Sequence, residues 1–343
     1  MTASEALDQT WSAVSAEPHN IQGFYHRRIP ITSYWPAHAG VHQPTGARIL
    51  MLETDARVAR AAPLKYETKG YSIESIPDEG GNPDRVFIRI QELGHGFREI
   101  FAIFCADILD HWVTHSGAQA GYTSLSRRLE AWKRFFVRRT DGGMTREEYI
   151  GLYGELVFIE SGLKACIAGE ELIASWQGPL GANQDFQFGT LAVEVKATTG
   201  MDANRVRISN IRQLDSVGVE GLFLARHALD FRQGSGRTLP ELVGSLKTVL
   251  SAVSLDLADS LMARLLAAGY VEGLPGDYDG WGFTLRRFDA YRVTDRFPRL
   301  VESDLPAGVS EVAYTTDLSV AAHLRVEESD LLTSIRAIHG HQG

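Results

Sequence analysis

Apolar residues recur at three- and four-residue steps through Leu152, Leu156, Ile159 and Leu163, marking the buried stripe of an amphipathic helix. Thr145 is a good N-cap for it, and Glu148 three residues on completes a capping box, so the helix is expected to run to about Cys166. Glu155 sits beside the stripe. The run Glu171–Trp176 then predicts a short strand, and Gly178-Pro179-Leu180-Gly181-Ala182-Asn183 breaks it. Asp185–Phe188 and Leu191–Lys196 are two apolar runs separated by Gly189-Thr190, the pattern of a hairpin. Asn210 can cap a short helix carrying Gln213 and Leu214, and Gly221–Ala225 is a continuous apolar run suited to a strand covered on both faces. The order helix, strand, strand, strand, helix, strand predicts an α/β core, a sheet sandwiched by helices.

Upstream, strand-like runs fall at Arg48–Leu52 and Arg85–Leu93, with a turn across Pro77–Pro83. Phe101–Phe104 reads as a buried strand leading into a helix with Ile108 and Trp112, and a further helix is expected over about Ser124–Arg138. Downstream, the stretch from Pro240 to about Gly269 is helical, with Leu257, Leu261 and Leu265 at four-residue steps. A turn at Asp277–Gly282 and strands over Phe283–Val293 and Glu311–Tyr314 follow. The expected organisation is a β-rich N-terminal domain (1–120), the α/β core (121–235) and an α+β C-terminal domain (236–343), for which a winged-helix arrangement is one expectation.

Composition narrows the class. With 44% hydrophobic and 22% charged residues, a chain of 343 residues can bury a core without staples. Two cysteines, far apart and without histidine at ligand spacing, argue against a disulfide framework or a structural zinc, and suit a reducing cytoplasm. No signal-peptide pattern opens the chain and no apolar run approaches membrane-spanning length, so a soluble cytoplasmic protein is expected. The net charge of −9 speaks against passive wrapping of nucleic acid. Basic residues nevertheless cluster over Arg127–Arg139 and at Arg205, Arg207, Arg212, Arg226, Arg232 and Arg237, which fits a local cationic groove; solvated helix faces explain the first run equally well.

The chemistry concentrates in the hairpin. Residues two apart in a strand point to one side, so Glu194 and Lys196 project together. If Asp185 lies on the paired strand, its carboxylate and that of Glu194 can converge on one cation, as two hard oxygen ligands do for Mg²⁺. Such a metal can polarise a scissile phosphate, with Lys196 beside it to position water or offset developing charge. Glu155 can add a third carboxylate, and Gln213 can hold the water or a phosphate oxygen. A Glu-x-Lys pair alone is more often an exposed charge ladder. Here the flanking apolar residues put it in a central strand, where charge without a partner is costly.

Gly151-Leu152-Tyr153-Gly154-Glu155-Leu156, Trp176 with Gly178-Pro179, Asp185-Phe186, Val193-Glu194-Val195-Lys196-Ala197 and Gln213-Leu214 together resemble the PD-(D/E)xK nuclease superfamily, and more narrowly a bacterial branch of "PD-(D/E)xK motif" proteins. The resemblance is close over Thr145–Asp230 and weaker over most of the chain. It implies a restriction-endonuclease-like fold, Mg²⁺ (Mn²⁺ substituting) as cofactor and DNA as substrate. It also implies Asp185 and Glu194 as metal ligands, Lys196 as the catalytic lysine and Glu155 as the helix acid, with Gln213 as an accessory. Similar proteins are encoded beside Z1-type helicases, MutL-like ATPases and cytosine methyltransferases, which implies a role in restriction or phage defence with such partners. Arg205, Arg207 and Arg212 are expected to contact DNA, and a symmetric homodimer would bring two sites to a duplex. The rival expectation is a catalytically silent scaffold subunit. One departure from the pattern is that Gln184, not proline, precedes Asp185.

Other groupings are weaker. Asp107, His111 and His115 fall at four-residue steps, the geometry of a helical metal site, though packing is the commoner reason. His38 and His42 lie in a Pro/Gly-rich stretch, and no nucleotide-binding P-loop or nucleophile elbow occurs. Trp132 and Phe135 could stack on bases, but their spacing between charges fits helix-core packing better.

Overall fold

The computed structural model describes residues 1–343 apart from 19–20, 32, 79, 95–96, 115–116, 139–142, 201–203 and 340–343. The chain divides into two compact units, residues 1–143 with 271–274, and residues 144–270 with 275–343. The division falls neither at 120 nor at 235.

The first unit holds α1 (Ala3–Ser15), β1 (Gly23–Arg28), β2 (Ala37–Gln43), β3 (Ala47–Asp55), α2 (Ala56–Ala61), β4 (Lys65–Glu67), β5 (Tyr71–Pro77), β6 (Arg85–Glu92), α3 (Arg98–Val113) and α4 (Ala118–Arg138). Its strands form one antiparallel sheet in the order β1-β2-β3-β6-β5-β4, so the β-rich expectation for this part describes it well. Phe101–Phe104 is not a strand but part of α3. Ile100, Phe101, Phe104, Cys105, Ile108, Leu109 and Trp112 are buried at helical spacing, a period that a four-residue window cannot display. The basic run from Arg127 is likewise part of a packing helix as far as Arg138, Arg139 lying outside the described residues. Trp132, Phe135 and Phe136 are buried in α4, and Arg128 is nearly so. Asp107 belongs to that packing: its carboxylate takes both the Arg128 guanidinium and the Trp132 indole N–H, the latter at 2.7 Å. With Asp107 so engaged and His115 outside the described residues, the candidate helical metal site is not formed by what is described.

The second unit begins with α5 (Arg146–Lys164), capped by the Thr145/Glu148 box, and α6 (Gly169–Ser175). The expected strand at Glu171–Trp176 is thus a short helix; α6 fits against α5 because Gly162 leaves room for Leu172, whose Cδ2 lies 2.6 Å from where a Cβ would be. Then come β7 (Phe186–Phe188), β8 (Leu191–Thr198), β9 (Arg205–Ile208), β10 (Gly221–Gln233), β11 (Arg237–Thr238), α7 (Leu239–Val253), α8 (Leu255–Ala268), β12 (Trp281–Arg292), β13 (Tyr314–Asp317), β14 (Arg325–Val326) and α9 (Glu328–His339). The sheet runs β11-β12-β10-β8-β7, with β14 on β12; β8 and β10 are parallel and the other pairs antiparallel. The expected β7–β8 hairpin forms, with Phe186 opposite Val193 and Phe188 opposite Leu191.

Among the described residues of 236–343 no winged helix forms. Their long strand β12 lies alongside β10 from Phe223↔Arg292 to Gln233↔Trp281, and so completes the sheet that carries the hairpin. One face of that sheet packs Val193, Val195, Phe223 and Leu229 against Leu156 and Ile159 of α5 and Leu242, Leu246 and Leu261 of α7 and α8. Each such buried side chain contributes roughly 1.5–3 kcal/mol. The opposite face packs Ala192, Leu222, Leu224 and Tyr291 against Val206 and Ile208 of β9 and Leu214 and Leu318 nearby. By the two-residue alternation, Glu194 and Lys196 lie on this second face.

Candidate nuclease site

Glu155 reaches the sheet because α5 comes unusually close to β8. A Cβ on Gly154 would stand 2.8 Å from the Ala197 Cβ, so glycine at 154 permits the approach. The Trp176 indole N–H then donates to Glu155 Oε2 at 2.6 Å, fixing the carboxylate. Asp185 is pinned at both ends. Its carbonyl accepts from the Gln177 and Gly178 N–H groups at 2.8 and 3.0 Å, and its Oδ2 accepts from the Val195 N–H at 2.8 Å. Gln184, standing where the family pattern has proline, ties the chain down by hydrogen bonds instead. It is buried, and its side-chain amide donates to the Arg212 and Asp215 carbonyls at 2.9 and 3.2 Å.

Glu194 is fully buried, whereas Glu155, Asp185 and Lys196 keep partial exposure. The Lys196 ammonium is 2.6 Å from Glu194 Oε1, yet neither oxygen of Glu194 meets a donor in hydrogen-bonding geometry. Lys196 also donates to Gln213 Oε1 at 3.1 Å. That oxygen further accepts from the Ser209 N–H and hydroxyl at 3.0 and 3.1 Å, within a capping box that Asn210 and Gln213 form around the turn Ile211–Leu214. The Gln213 acceptor oxygen is thus shared by the lysine and the turn that carries it.

The electrostatics follow from counting charges. Three carboxylates face one ammonium in a largely dry cluster. Burial, with the Asp185 charge added, pushes the Glu194 carboxyl up to about 8 despite Lys196. Burial and Asp185 also raise Glu155 well above the carboxylate range, and burial raises Asp185 against the pull of Lys196. For Lys196 burial alone would lower the pKa, but Glu194 and Asp185 outweigh it, so the ammonium stays protonated. With all three carboxylates ionised the cluster would hold more negative charge than its one cation balances; the metal-free site meets this by retaining protons, whose place a bound divalent ion would take.

Whether these residues fit a metal can be judged from the donor set. Glu194 offers two buried oxygens, one of them against the Lys196 ammonium, and Asp185 Oδ1 and Glu155 Oε2 both border the space that a Cβ on Gly178 would occupy, at 2.8 and 3.4 Å. As placed, no three acidic, histidine or cysteine side chains among the described residues form a closed cage. A hard cation that keeps waters and substrate oxygens in its shell needs only one or two carboxylates, so the set fits.

The expected DNA-contacting arginines separate. Arg205 and Arg207 are exposed on β9, their neighbours Val206 and Ile208 being buried, while Arg212 pairs with the exposed Glu302 at 3.4 Å. Arg226 is fully buried, bonded to Asp289 of β12. Sequence reasoning missed the roles of Trp176, Gly154, Gly178 and Ser209. The Trp176–Pro179 run just before Asp185 carried a signal, since an aromatic donor and a glycine next to a carboxylate are what such a pocket needs.

Among the described residues no helix is long and apolar enough to cross a membrane. No curated protein and no solved structure matches the chain. A family model described as "Putative PD-(D/E)XK family member, (DUF4420)" matches residues 7–319. The chain belongs to this PD-(D/E)XK family and has the mixed, helix-flanked sheet of a restriction-endonuclease-like fold.

Proposed function

We propose that the protein is a metal-dependent DNA endonuclease working in bacterial restriction or anti-phage defence. The observation that carries the reading is the gathering of three carboxylates, Glu155, Asp185 and Glu194, around the single ammonium of Lys196, with Glu194 fully buried. Asp185 and Glu194, assisted by Glu155, would hold a divalent cation. When bound, Mg²⁺, or Mn²⁺ in its place, supplies Lewis-acid polarisation of a phosphate oxygen. Lys196, kept protonated and aligned by Glu194 and Gln213, acts as a fixed cation. Its Nζ offsets charge that develops on the phosphate and orients the attacking water. Trp176 holds Glu155, and the Val195 N–H holds Asp185, so the ligands are aligned before substrate arrives.

A silent scaffold has no need of this arrangement, because buried ions cost several kcal/mol each and a lapsed site is relieved of that cost by apolar replacement. The proposed partners are DNA, contacted by Arg205 and Arg207, and the helicase-like and ATPase-like subunits that the family resemblance implies. Asp185→Asn provides the test. It is expected to weaken divalent-metal binding, read by calorimetry, and metal-dependent nicking of plasmid together. Wild-type metal affinity and nicking in that variant would remove Asp185 from the site.

A further inference from the structure

On the face of the sheet that carries Glu194 and Lys196, a second cluster has the opposite imbalance. In the parallel register of β8 and β10, Arg226 is the direct neighbour of Lys196, and across the next pair Arg226 faces Asp289 of β12. Asp289 is fully buried and receives three guanidinium groups. Arg226 binds Oδ2; Arg287 reaches Oδ1 at 2.6 Å through Nη2 and 2.7 Å through Nε; Arg325 of β14 reaches the same oxygen at 3.0 Å. One carboxylate thus balances three cations. Arg226 is wholly buried, with Nε and Nη1 lacking any hydrogen-bond partner. Arg287 and Arg325 differ, their side chains being 46% and 42% exposed. Strand alternation puts Arg287, Asp289 and Tyr291 on one face, and Arg325, paired with Tyr291, joins them. A row of side chains from β8 through β10 and β12 to β14 therefore begins with an acid-rich cluster and ends with guanidinium groups short of an anion.

We propose that Arg287 and Arg325, backed by the Arg226–Asp289 pair, bind a backbone phosphate of the DNA strand whose neighbouring phosphate lies at Lys196. The chemistry is that of planar guanidinium forks, which match phosphate oxygens bidentately. β12 lies two strands from β8, about 10 Å away at the usual spacing, within reach of phosphates close to the scissile one along a strand. The tether of Arg287 to Asp289 holds its fork in place before DNA arrives, so little side-chain freedom is lost on binding. The proposal rests on the nuclease reading only for the position of the scissile phosphate.

The test is binding of a short labelled DNA duplex in EDTA, by fluorescence anisotropy across a NaCl series. The proteins are wild type, Arg287→Gln, Arg325→Gln, the double variant, and Arg57→Gln as a surface-charge control in the first unit. The double variant is expected to bind about tenfold more weakly near 0.1 M salt, with the slope of log affinity against log salt reduced by about 0.9, the value for one phosphate. Arg57→Gln should match wild type. Because both arginines hold one phosphate, the double variant should lose no more slope than that. If the glutamine variants melt early, Arg287→Lys and Arg325→Lys take their place; these keep the charge and should retain most of the slope while losing affinity. An unchanged slope and affinity in the double variant, an equal loss in Arg57→Gln, or a wild-type protein that binds no DNA would each overturn the proposal. Parallel Mg²⁺ cleavage separates the two ideas: intact cutting with unaltered binding in the double variant sinks this subsite alone. DNA binding through these arginines without any cutting sinks the nuclease chemistry alone.

Discussion

Gly178→Ala probes the site with a single methyl group. The backbone at Gly178 is open to alanine, so the change introduces no strain of its own. The added Cβ would sit 2.8 Å from Asp185 Oδ1, 3.3 Å from Asp185 Cα and 3.4 Å from Glu155 Oε2. Comfortable contact begins near 3.5 Å, so the first of these is short by about 0.7 Å. The Asp185 backbone cannot yield, since its carbonyl holds the Gln177 and Gly178 N–H groups. Its carboxylate must turn instead, stretching the bond from the Val195 N–H. A hydrogen bond to a charged group is worth about 1.5–3 kcal/mol, and losing part of one should cost about 1 kcal/mol of stability. The functional cost should be larger. Metal–ligand distances tolerate only about 0.2 Å, and disturbing the groups around a ligand typically lowers metal affinity about 10–100-fold. Calorimetric titration with Mn²⁺ and a plasmid-nicking time course should both show a loss in that range. Gly151→Ala, one turn before Glu155 in α5 with open space around it, serves as control and should gain roughly 0.5–1 kcal/mol of stability with no loss of cutting. Wild-type metal affinity in Gly178→Ala would refute the claim that this glycine keeps clear a space shared by the two carboxylates.

Three other outcomes follow from the same charges. A carboxyl raised to about 8 makes the folded state bind more protons than the unfolded chain, so Glu194 adds stability below about pH 4.5 to 8 and loses it as pH rises through that window. The metal-free protein should therefore lose up to about 1.4 kcal/mol per pH unit per proton between pH 7 and 8, read by thermal melts in EDTA; Mg²⁺ or Glu194→Gln should flatten the slope, and equal slopes throughout would contradict it. Below pH 6.5 the half-buried His38 and the buried His227, both lowered to about 4 chiefly by burial, act in the opposite sense, which is why the alkaline side is the informative one. Asp107→Ala should destabilise the first unit by about 2–3 kcal/mol by leaving the Arg128 guanidinium without its carboxylate, while Mn²⁺ binding by the intact chain stays unchanged. A drop in metal stoichiometry would revive the helical metal site. Gln213→Ala should slow cutting about tenfold or more with metal affinity retained, because it frees Lys196 without touching a carboxylate; full activity would mean that Glu194 alone aligns the lysine.

Much of the site was legible because its signals are local. The Thr145/Glu148 capping box, the Gly189-Thr190 turn and the Asn210 cap lie within a few residues of what they organise, and each forms as expected. The strand misreadings at Phe101–Phe104 and Glu171–Trp176 share one cause. Apolar runs this short do not separate a strand from a buried helix segment, and what decided them was packing, as with Leu172 against Gly162. Long-range pairing was beyond reach altogether. Nothing near residue 226 announces that Asp289 will neutralise it, or that β12 will join the sheet and leave residues 236–343 without a domain of their own. Gln213 stands beside Lys196, but only the three-dimensional placement shows its oxygen shared between Lys196 and Ser209.

The most direct test of the nuclease reading is cleavage of supercoiled plasmid by wild type and Lys196→Ala, each in Mg²⁺ and in EDTA. The account predicts nicking or cutting by wild type in Mg²⁺ alone, and none by a Lys196→Ala protein that still folds and still binds the metal. Equal cleavage by both proteins, or cleavage by wild type that persists in EDTA, would contradict it.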